Sequence, residues 1–159
     1  MPAPYTFTDK TTGQTIEAAF VNDLQDAVVE LGDSVITLNG LKTDTIPFLI
    51  NGNGAPITTG VKGTFQVDYA GTIQANTLLA DQSGSIAITI KKSTYAGYPG
   101  SLASIVASAK PTLSSAQKST DGTLTGWTTS FSAGDVFEVS VDSATSVQRV
   151  TLSLKIVRG

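Results

Sequence analysis

The hydrophobic positions change their period once along the chain. Within residues 15–44 apolar residues recur at alternating spacings of four and three, which predicts an α-helix with Thr15 as its N-cap. From Thr45 onwards apolar and polar residues alternate in short runs separated by turn-forming residues, which predicts β-strands. The chain therefore divides into an extended arm (1–14), a helical segment (15–44) and a β domain (45–159).

The helical segment carries an apolar stripe of the kind that packs against other helices. Its seam consists of Phe20, Leu24, Ala27, Leu31, Ser34 and Leu38, and a second column consists of Val21, Val28 and Val35. This stripe is wider than a two-stranded coiled coil needs, so it favours a stem of three identical helices. The alternative is that the helix packs on its own β domain. Gly32, a poor helix former, predicts an interruption.

We predict that trimerisation depends on seven residues of this stripe. They are Phe20, Leu24, Ala27, Val28, Leu31, Val35 and Leu38.

The β domain is predicted to contain seven or eight strands. Ile86, Ile88 and Ile90 alternate with polar residues and are expected to face inward, and residues 81–84 (DQSG) are predicted to form a turn between two strands. Residues 102–109 fit either a strand or a short helix. Because no helix is long enough for a parallel crossover, we predict an antiparallel, jelly-roll-like sandwich and a mainly β fold.

Two segments of the β domain resemble a known module. They are residues 78–85 (LLADQSGS) and 124–145 (LTGWTTSFSAGDVFEVSVDSAT). Together with their order in residues 46–157, they resemble a C-terminal module of tailed-phage virion structural proteins of the tail-fibre, head-fibre or capsid-decoration type. The resemblance implies a homotrimer that binds other phage virion proteins of the capsid or tail and resides in the virion after assembly in the host cytoplasm. It implies no catalytic residues.

Composition and charge exclude several classes of partner. Charged residues make up 14% of the chain and the formal net charge is -3, so no basic excess is available to bind nucleic acid or an anionic membrane. No apolar run reaches the roughly 18 residues of a membrane span, and residues 1–5 do not begin a signal peptide. We therefore expect neither nucleic-acid binding nor membrane insertion.

The residues needed for most catalysis and metal binding are missing or scattered. The chain has no Cys and no His, which removes the commonest nucleophile–base pairs and transition-metal ligands. Ser115 and Lys118 match the letters S-x-x-K, but they lie in a predicted loop without the companion motifs. The carboxylates fall mainly at predicted turns, where Asp binds backbone N–H groups. We expect no enzyme activity, no catalytic residues, no metal and no cofactor.

Three aromatic residues are the candidates for contact with a ligand or host. Tyr95 and Tyr98 lie in a Gly/Pro-containing loop, which is the first place to look for binding of a host surface glycan. Trp127 lies in a predicted strand, where burial of its ring in the core is the more natural interpretation.

Two functions are compatible with these observations. In the first, the arm docks on the particle, the helices trimerise, and the β domain is displayed as a fibre or spike whose weak host contacts are multiplied by trimeric display. In the second, the protein is a capsid cement or decoration protein that stabilises the head lattice and needs no ligand. A carbohydrate-active enzyme built on a jelly roll is a third interpretation, with less support because no catalytic set is evident.

Overall fold

The computed structural model describes residues 18–159, with side chains described for residues 22–35 and 42–159. The chain divides after residue 40 into two units, and within the described residues these are a helical unit (18–40) and a β unit (Leu41–Gly159). The elements of the described residues, in chain order, are α1 (Ala18–Leu41), β1 (Thr43–Asn51), β2 (Gly60–Gln66), β3 (Gly71–Ser93), a 3-10 turn (Tyr95–Gly97), β4 (Ala103–Ser104), β5 (Thr112–Asp121), β6 (Ser130–Phe131), β7 (Val136–Thr145) and β8 (Arg149–Arg158).

Helix α1 runs without a break through Gly32, so the predicted interruption at this residue is wrong. A glycine costs about 1 kcal/mol in a helix interior. Once a helix is nucleated, each further residue adds one hydrogen bond, so a single glycine lowers the stability of the helix without ending it. Thr15 and the arm of residues 1–14 lie outside the described residues. The side chains of Phe20, Val21 and Leu38 also lie outside them.

The β unit is one antiparallel sheet of eight strands with β3 at its centre, which confirms the prediction of a mainly β, antiparallel fold. β3 is 23 residues long and pairs with β8 along residues 71–80 and with β7 along residues 85–93. β1 pairs with the other edge of β8, and β2 pairs with the other edge of β7. The opposite side of β3 is lined by β4, β5 and β6.

The sheet curls into two halves that face each other across one core. The first half holds β1, β8, β6 and the N-terminal part of β3, and the second half holds β2, β7, β4 and the C-terminal part of β3, while β5 runs along both. Phe131 of the first half lies edge-on to Phe137 of the second, with ring centroids 5.8 Å apart. Phe48 and Phe65 make a similar contact between the halves at 5.9 Å. The two inner faces therefore bury each other.

The sheet folds over where the middle of β3 bends beside the connection between β7 and β8. Residues 81–84 of β3 lie between the stretch that pairs with β8 and the stretch that pairs with β7, opposite the β7–β8 connection at residues 146–148. Residues 81–84 are not a turn between two strands, as the sequence predicted, but a bulged bend inside one strand. Turn-forming residues here change the direction of the strand without ending it.

Polar side chains of β3 hold this corner to the β7–β8 connection. The Asp81 carboxylate accepts hydrogen bonds from the backbone N–H groups of Gln148 and Arg149, at 3.2 and 3.1 Å. The Gln82 side-chain amide donates to the backbone carbonyl of Ser146. Backbone groups that lose their ladder partners at the bend are satisfied by side chains, as buried or half-buried backbone groups generally must be.

Three local predictions need correction or completion. Ser115 and Lys118 lie in β5 and not in a loop. Trp127 lies in the connection between β5 and β6 and not in a strand. Residues 102–109 contain only the two-residue strand β4, and the rest is irregular. Short apolar stretches carry too few periods to distinguish these outcomes from sequence.

The predicted inward face of β3 is confirmed. Ile86, Ile88 and Ile90 are at most 1% exposed and belong to the single hydrophobic core of the β unit. Ile88 and Ile90 pair with Val141 and Val139 of β7, which are also buried. Burying such a side chain contributes roughly 1.5–3 kcal/mol, so these alternating positions account for much of the cohesion of the second half.

Gly84 gives a direct test of the corner. A Cβ atom at this position would lie 2.5 Å from the Thr145 carbonyl oxygen and 2.8 Å from Val147 Cγ1, and backbone cannot move aside cheaply. We expect Gly84→Ala to lower the free energy of unfolding by about 1–3 kcal/mol, the usual cost of overpacking. Urea denaturation followed by far-UV circular dichroism measures it.

Gly122→Ala is the matched control for this substitution, because its Cβ would meet only the Gln74 carbonyl oxygen, at 3.9 Å. We expect this variant to have the wild-type free energy of unfolding or one higher by up to about 1 kcal/mol, because alanine reduces the conformational entropy of the unfolded chain. Equal stability changes for the two variants would contradict the assignment of residues 81–84 as a tightly packed corner.

Candidate functional site

The apolar stripe of helix α1 is exposed to solvent in the single chain. The exposed fractions are 46% for Leu24, 62% for Val28, 67% for Leu31 and 48% for Val35, and Ala27 is half-buried. Side chains of this size normally gain roughly 1.5–3 kcal/mol each when they are buried. A continuous exposed stripe of this kind marks a site of interaction, and this stripe is the first candidate surface.

The charges of helix α1 lie on one side of it and have a single sign. Residues 18–41 contain Asp23, Asp26, Glu30 and Asp33 and no Lys or Arg. In the heptad defined by Leu24 and Leu31, these acidic residues occupy the g and c positions, which are neighbours on the helix surface. Copies of this helix therefore have no opposite charges to pair across an interface, and their association would depend on the apolar stripe.

The loop that follows β3 presents two tyrosines. Tyr95 is 72% exposed and Tyr98 is 41% exposed. The backbone between them is fixed, because the Gly97 N–H donates to Thr94 Oγ1 at 3.2 Å and the Ser101 N–H donates to the Gly97 carbonyl at 2.8 Å. Two aromatic rings on a braced loop form a second candidate surface, suited to stacking on an apolar or sugar face.

Trp127 belongs to the core. Its side chain is 9% exposed, and its indole N–H donates to the Ala109 carbonyl oxygen at 2.7 Å. The backbone N–H of Trp127 donates to the Leu124 carbonyl oxygen, which closes a turn in the β5–β6 connection. Since its ring is buried and its polar atom is bound internally, we leave Trp127 out of the candidate contact surface.

The outer face of the second half is charged and internally paired. Lys91 of β3 and Glu138 of β7 are cross-strand partners with a 3.0 Å ion pair. The Asp142 carboxylate accepts hydrogen bonds from Thr89 Oγ1 at 2.7 Å and Lys110 Nζ at 2.9 Å. Burial raises the pKa of Asp142, but the bonds from Thr89 and Lys110 outweigh it and hold the pKa below its ordinary value.

A further ion pair joins β3 to the connection between β6 and β7. Lys92 Nζ lies 2.8 Å from the Asp135 carboxylate, which also accepts from the Ser132 N–H at 2.9 Å. The Asp135 side chain is only 6% exposed. Burial raises the pKa of Asp135, but the bonds from Lys92 and Ser132 outweigh it and leave the pKa below its ordinary value.

Contacts of this kind give several carboxylates of the β unit structural roles. Asp135, Glu138 and Asp142 are paired with lysines, and Asp121 accepts from the Thr123 N–H at 2.8 Å as a turn-stabilising residue. Among the described residues, no group of three acidic side chains is placed to hold a metal ion. None of the helices in the described part of the chain is long and apolar enough to span a membrane.

The outer face of the first half has exposed apolar side chains at its centre, which the sequence analysis missed. Ile50, Leu78 and Leu152 are buried, and side chains alternate along a strand, so their neighbours point outward. Leu49 and Leu79 are 56% and 52% exposed. We call this surface the Leu49–Leu79 face, and it consists of Pro47, Leu49, Thr77, Leu79, Thr120, Thr151 and Ser153, which lie in register across β1, β8, β3 and β5.

A sequence signal for this face does exist. In Leu78-Leu79, and again in Phe48-Leu49-Ile50, adjacent residues are apolar, and a strand must turn one of two neighbours outward. Which one faces outward depends on the register.

Comparisons with known proteins leave the family of this chain open. No family model matches it, and no curated protein matches it. A serine protease of Aeromonas sobria is 11% identical with a TM-score of 0.30, and the match covers 74% of this chain and 27% of that one. The structure of infectious bursal disease virus strain Gx is 12% identical with a TM-score of 0.25, covering 74% of this chain and 38% of that one. The chain thus spans well under half of either protein, and similarities this weak carry no argument about function.

The lowered pKa values of Asp135 and Asp142 predict how the stability of the β unit changes at acid pH. A carboxyl group whose folded pKa is below its unfolded value of about 3.9 stabilises the fold above about pH 4, and this contribution disappears as the pH falls through the folded pKa. We expect Asp135→Asn to cost about 2 kcal/mol at neutral pH, because it removes one partner of a nearly buried ion pair. The cost should shrink as the pH is lowered. Urea denaturation at a series of pH values tests this.

Asp68→Asn, at an exposed position of the same unit, is the control and should leave the stability profile unchanged. A constant difference between Asp135→Asn and wild type at every pH would contradict the role assigned to the Lys92–Asp135 pair.

Proposed function

We propose that this protein is a homotrimeric structural component of a bacteriophage particle, a short fibre or spike whose helices form a stem and whose β unit is displayed outward. The observation that carries the proposal is the exposed apolar stripe of helix α1 with Leu24, Val28, Leu31 and Val35. The sequence resemblance to phage virion modules supplies the setting. The arm of residues 1–14 would bind another virion protein of the capsid or tail.

The width of the stripe supports three helices over two. Leu24 and Leu31 occupy a positions, Ala27 a d position, and Val28 and Val35 e positions of the same heptads. In a two-stranded coiled coil the e positions lie at the margin of the contact and are usually polar, whereas a third helix covers more of each neighbour's flank. Apolar residues at a, d and e therefore suit a trimeric stem.

The strand pairing supports a jelly roll as the fold of the displayed unit. In a jelly roll, a long antiparallel ribbon is rolled so that its first strand pairs with its last and its second with the one before. β1 pairs with β8 and β2 pairs with β7, as the outer strands of such a ribbon do. The two halves of β3 pair with the two parts of β5 and take the place of the four middle strands. Rolled domains of this kind expose loops at their ends, where recognition can take place.

A trimer would present three copies of the Tyr95–Tyr98 loop. Weak contacts of a single loop with a host surface glycan would be multiplied by the effective concentration of the other two. The high exposure of Tyr95 supports this contact site.

The alternative function is a capsid cement or decoration protein that stabilises the head lattice. One observation favours it: helix α1 has 24 residues, about 36 Å of stem, which is short for an organelle that must reach a host surface.

Charge placed on the stripe tests the stem. We expect Leu24→Asp combined with Leu31→Asp to convert a trimer into a monomer, because buried unpaired carboxylates would cost several kcal/mol per helix. The β unit should keep its fold, since it has its own core. Light scattering coupled to size-exclusion chromatography gives the mass, and circular dichroism reports the fold.

Asn22→Asp combined with Gln25→Asp adds the same charge at the f and b positions and should leave the mass unchanged. The stem would be refuted if the wild-type protein had the mass of a single chain. It would also be refuted if the variant with Leu24→Asp and Leu31→Asp remained a trimer.

Position on the particle separates fibre from cement. Electron cryomicroscopy of intact virions should place the protein at a tail or vertex if it is a fibre, and copies over the whole head lattice would establish the cement function. For a fibre, Tyr95→Ser with Tyr98→Ser should reduce adsorption to host cells at unchanged thermal stability, because both rings are exposed. Normal adsorption of that variant would remove the loop from the contact site.

A further inference from the structure

The Leu49–Leu79 face differs from the rest of the sheet surface in having no ion pairs at its centre. Two rows of side chains cross it, Leu49–Thr151–Leu79 and Pro47–Ser153–Thr77–Thr120, each aligned by strand register. Thr77 and Thr120 bind each other through their hydroxyl groups at 3.1 Å, so these polar atoms already have a partner within the chain. Short Thr, Ser and Pro side chains surround the exposed Leu49 and Leu79, and the face is therefore partly apolar.

Three charged residues of this half of the sheet lie at the margin of the face. Lys118 follows Leu79 at the β5 end of one row, while Arg149 and Lys155 lie further along β8. The outer face of the second half is the opposite case, because Lys91, Glu138, Lys110 and Asp142 are paired across it. A surface already satisfied by its own ion pairs gains little from a partner, whereas exposed Leu side chains gain from being covered.

Chain connectivity brings the β1 strands of different copies close together if the helices form a stem. Only Lys42 lies between the last residue of α1, Leu41, and the first residue of β1, Thr43. In any arrangement of the two units, Thr43 lies within about 8 Å of the end of the helix, since consecutive Cα atoms are 3.8 Å apart. If three helices share an axis, the three β1 strands begin beside that axis and beside one another. β1 is the strand that supplies Pro47 and Leu49 to the face.

The size of the face indicates that it would act together with the stem. Four strands about 4.8 Å apart, each contributing about four residues of about 3.4 Å, cover roughly 260 Å². A stable interface needs about 800 Å² per partner. The face is therefore too small to hold two chains together alone, but large enough to add to an interface that the helices have already formed.

We propose that the Leu49–Leu79 face packs against the β unit of a neighbouring copy of this chain, so that the trimer continues from the stem into the displayed domains. This proposal rests on the proposed function, because it requires the helical stem. It goes beyond the stem by assigning a second contact, carried by β1, β3, β5 and β8, that orients the three β units. The occupant is a second copy and not a ligand.

The sequence contains no cysteine, so a single introduced thiol can report on this contact. We would prepare the full chain with Leu79→Cys, and separately with Val61→Cys, each in the wild-type stem and in the Leu24→Asp, Leu31→Asp stem. Val61 is the matched control, because it is 58% exposed and lies on β2, in the second half of the sheet. The rate of reaction with a maleimide measures thiol exposure.

We expect the Leu79→Cys thiol to react about tenfold more slowly in the intact trimer than in the stem-broken monomer, since burial removes the reagent's access. The Val61→Cys thiol should react at the same rate in both. Comparing one thiol in two assembly states cancels the influence of the neighbouring Lys118. Leu49→Cys serves as a second reporter from the same row and should behave like Leu79→Cys.

Each other outcome overturns a defined part of the argument. A trimeric mass with equal Leu79→Cys rates in both stems overturns this inference and leaves the proposed stem intact. A monomeric mass of the wild-type stem overturns the stem and this inference with it. Protection of Leu79→Cys only on assembled particles, and not in the free trimer, overturns the copy–copy contact and assigns the face to another virion protein.

Discussion

The fold of the β unit depends on the bend that β3 shares with the β7–β8 connection. A sheet with one apolar face must cover that face, and here the chain offers no second sheet and no helix inside the β unit to do so. Bending the longest strand in its middle lets the sheet cover itself. Asp81 and Gln82 bind the opposite backbone at the corner, and Gly84 leaves room for Thr145 to approach. The single core, with residues of both halves, follows from this bend.

Once the sheet has folded over, its two outer faces have different physical properties. On the second half, Lys91 pairs with Glu138 of the neighbouring strand and Lys110 pairs with Asp142, so these charges are satisfied within the single chain. On the first half, Thr, Ser and Leu lie in register and leave an apolar centre exposed. The difference has an energetic meaning, since paired charges resist desolvation and exposed Leu side chains favour it.

The helical unit and the β unit satisfy their hydrophobic residues in different ways. The β unit buries its own apolar face, but Leu24, Val28, Leu31 and Val35 of α1 stay exposed in the single chain. A lone amphipathic helix gains little stability in water from propensity alone, because most helical stability in proteins comes from packing of the apolar face. The helix is therefore the part of the molecule that most needs a partner. Because its charged residues are all acidic, identical helices cannot pair through opposite charges.

The sequence by itself determined what periodicity can report: a helix before a β-rich region, antiparallel strands, inward isoleucines in β3, and exposed tyrosines after it. These depend on local alternation, which each short segment carries within itself. Only the tertiary structure decided that residues 81–84 bend one strand, that Trp127 fills the core from a connection, and that Leu79 faces outward while Leu78 is buried. Turn-forming residues favour a change of direction but do not specify whether the strand ends, and one of two adjacent leucines must face out. Both choices are set by pairing with β7 and β8, which lie far from β3 in the chain, because register between distant strands is fixed by the shared core.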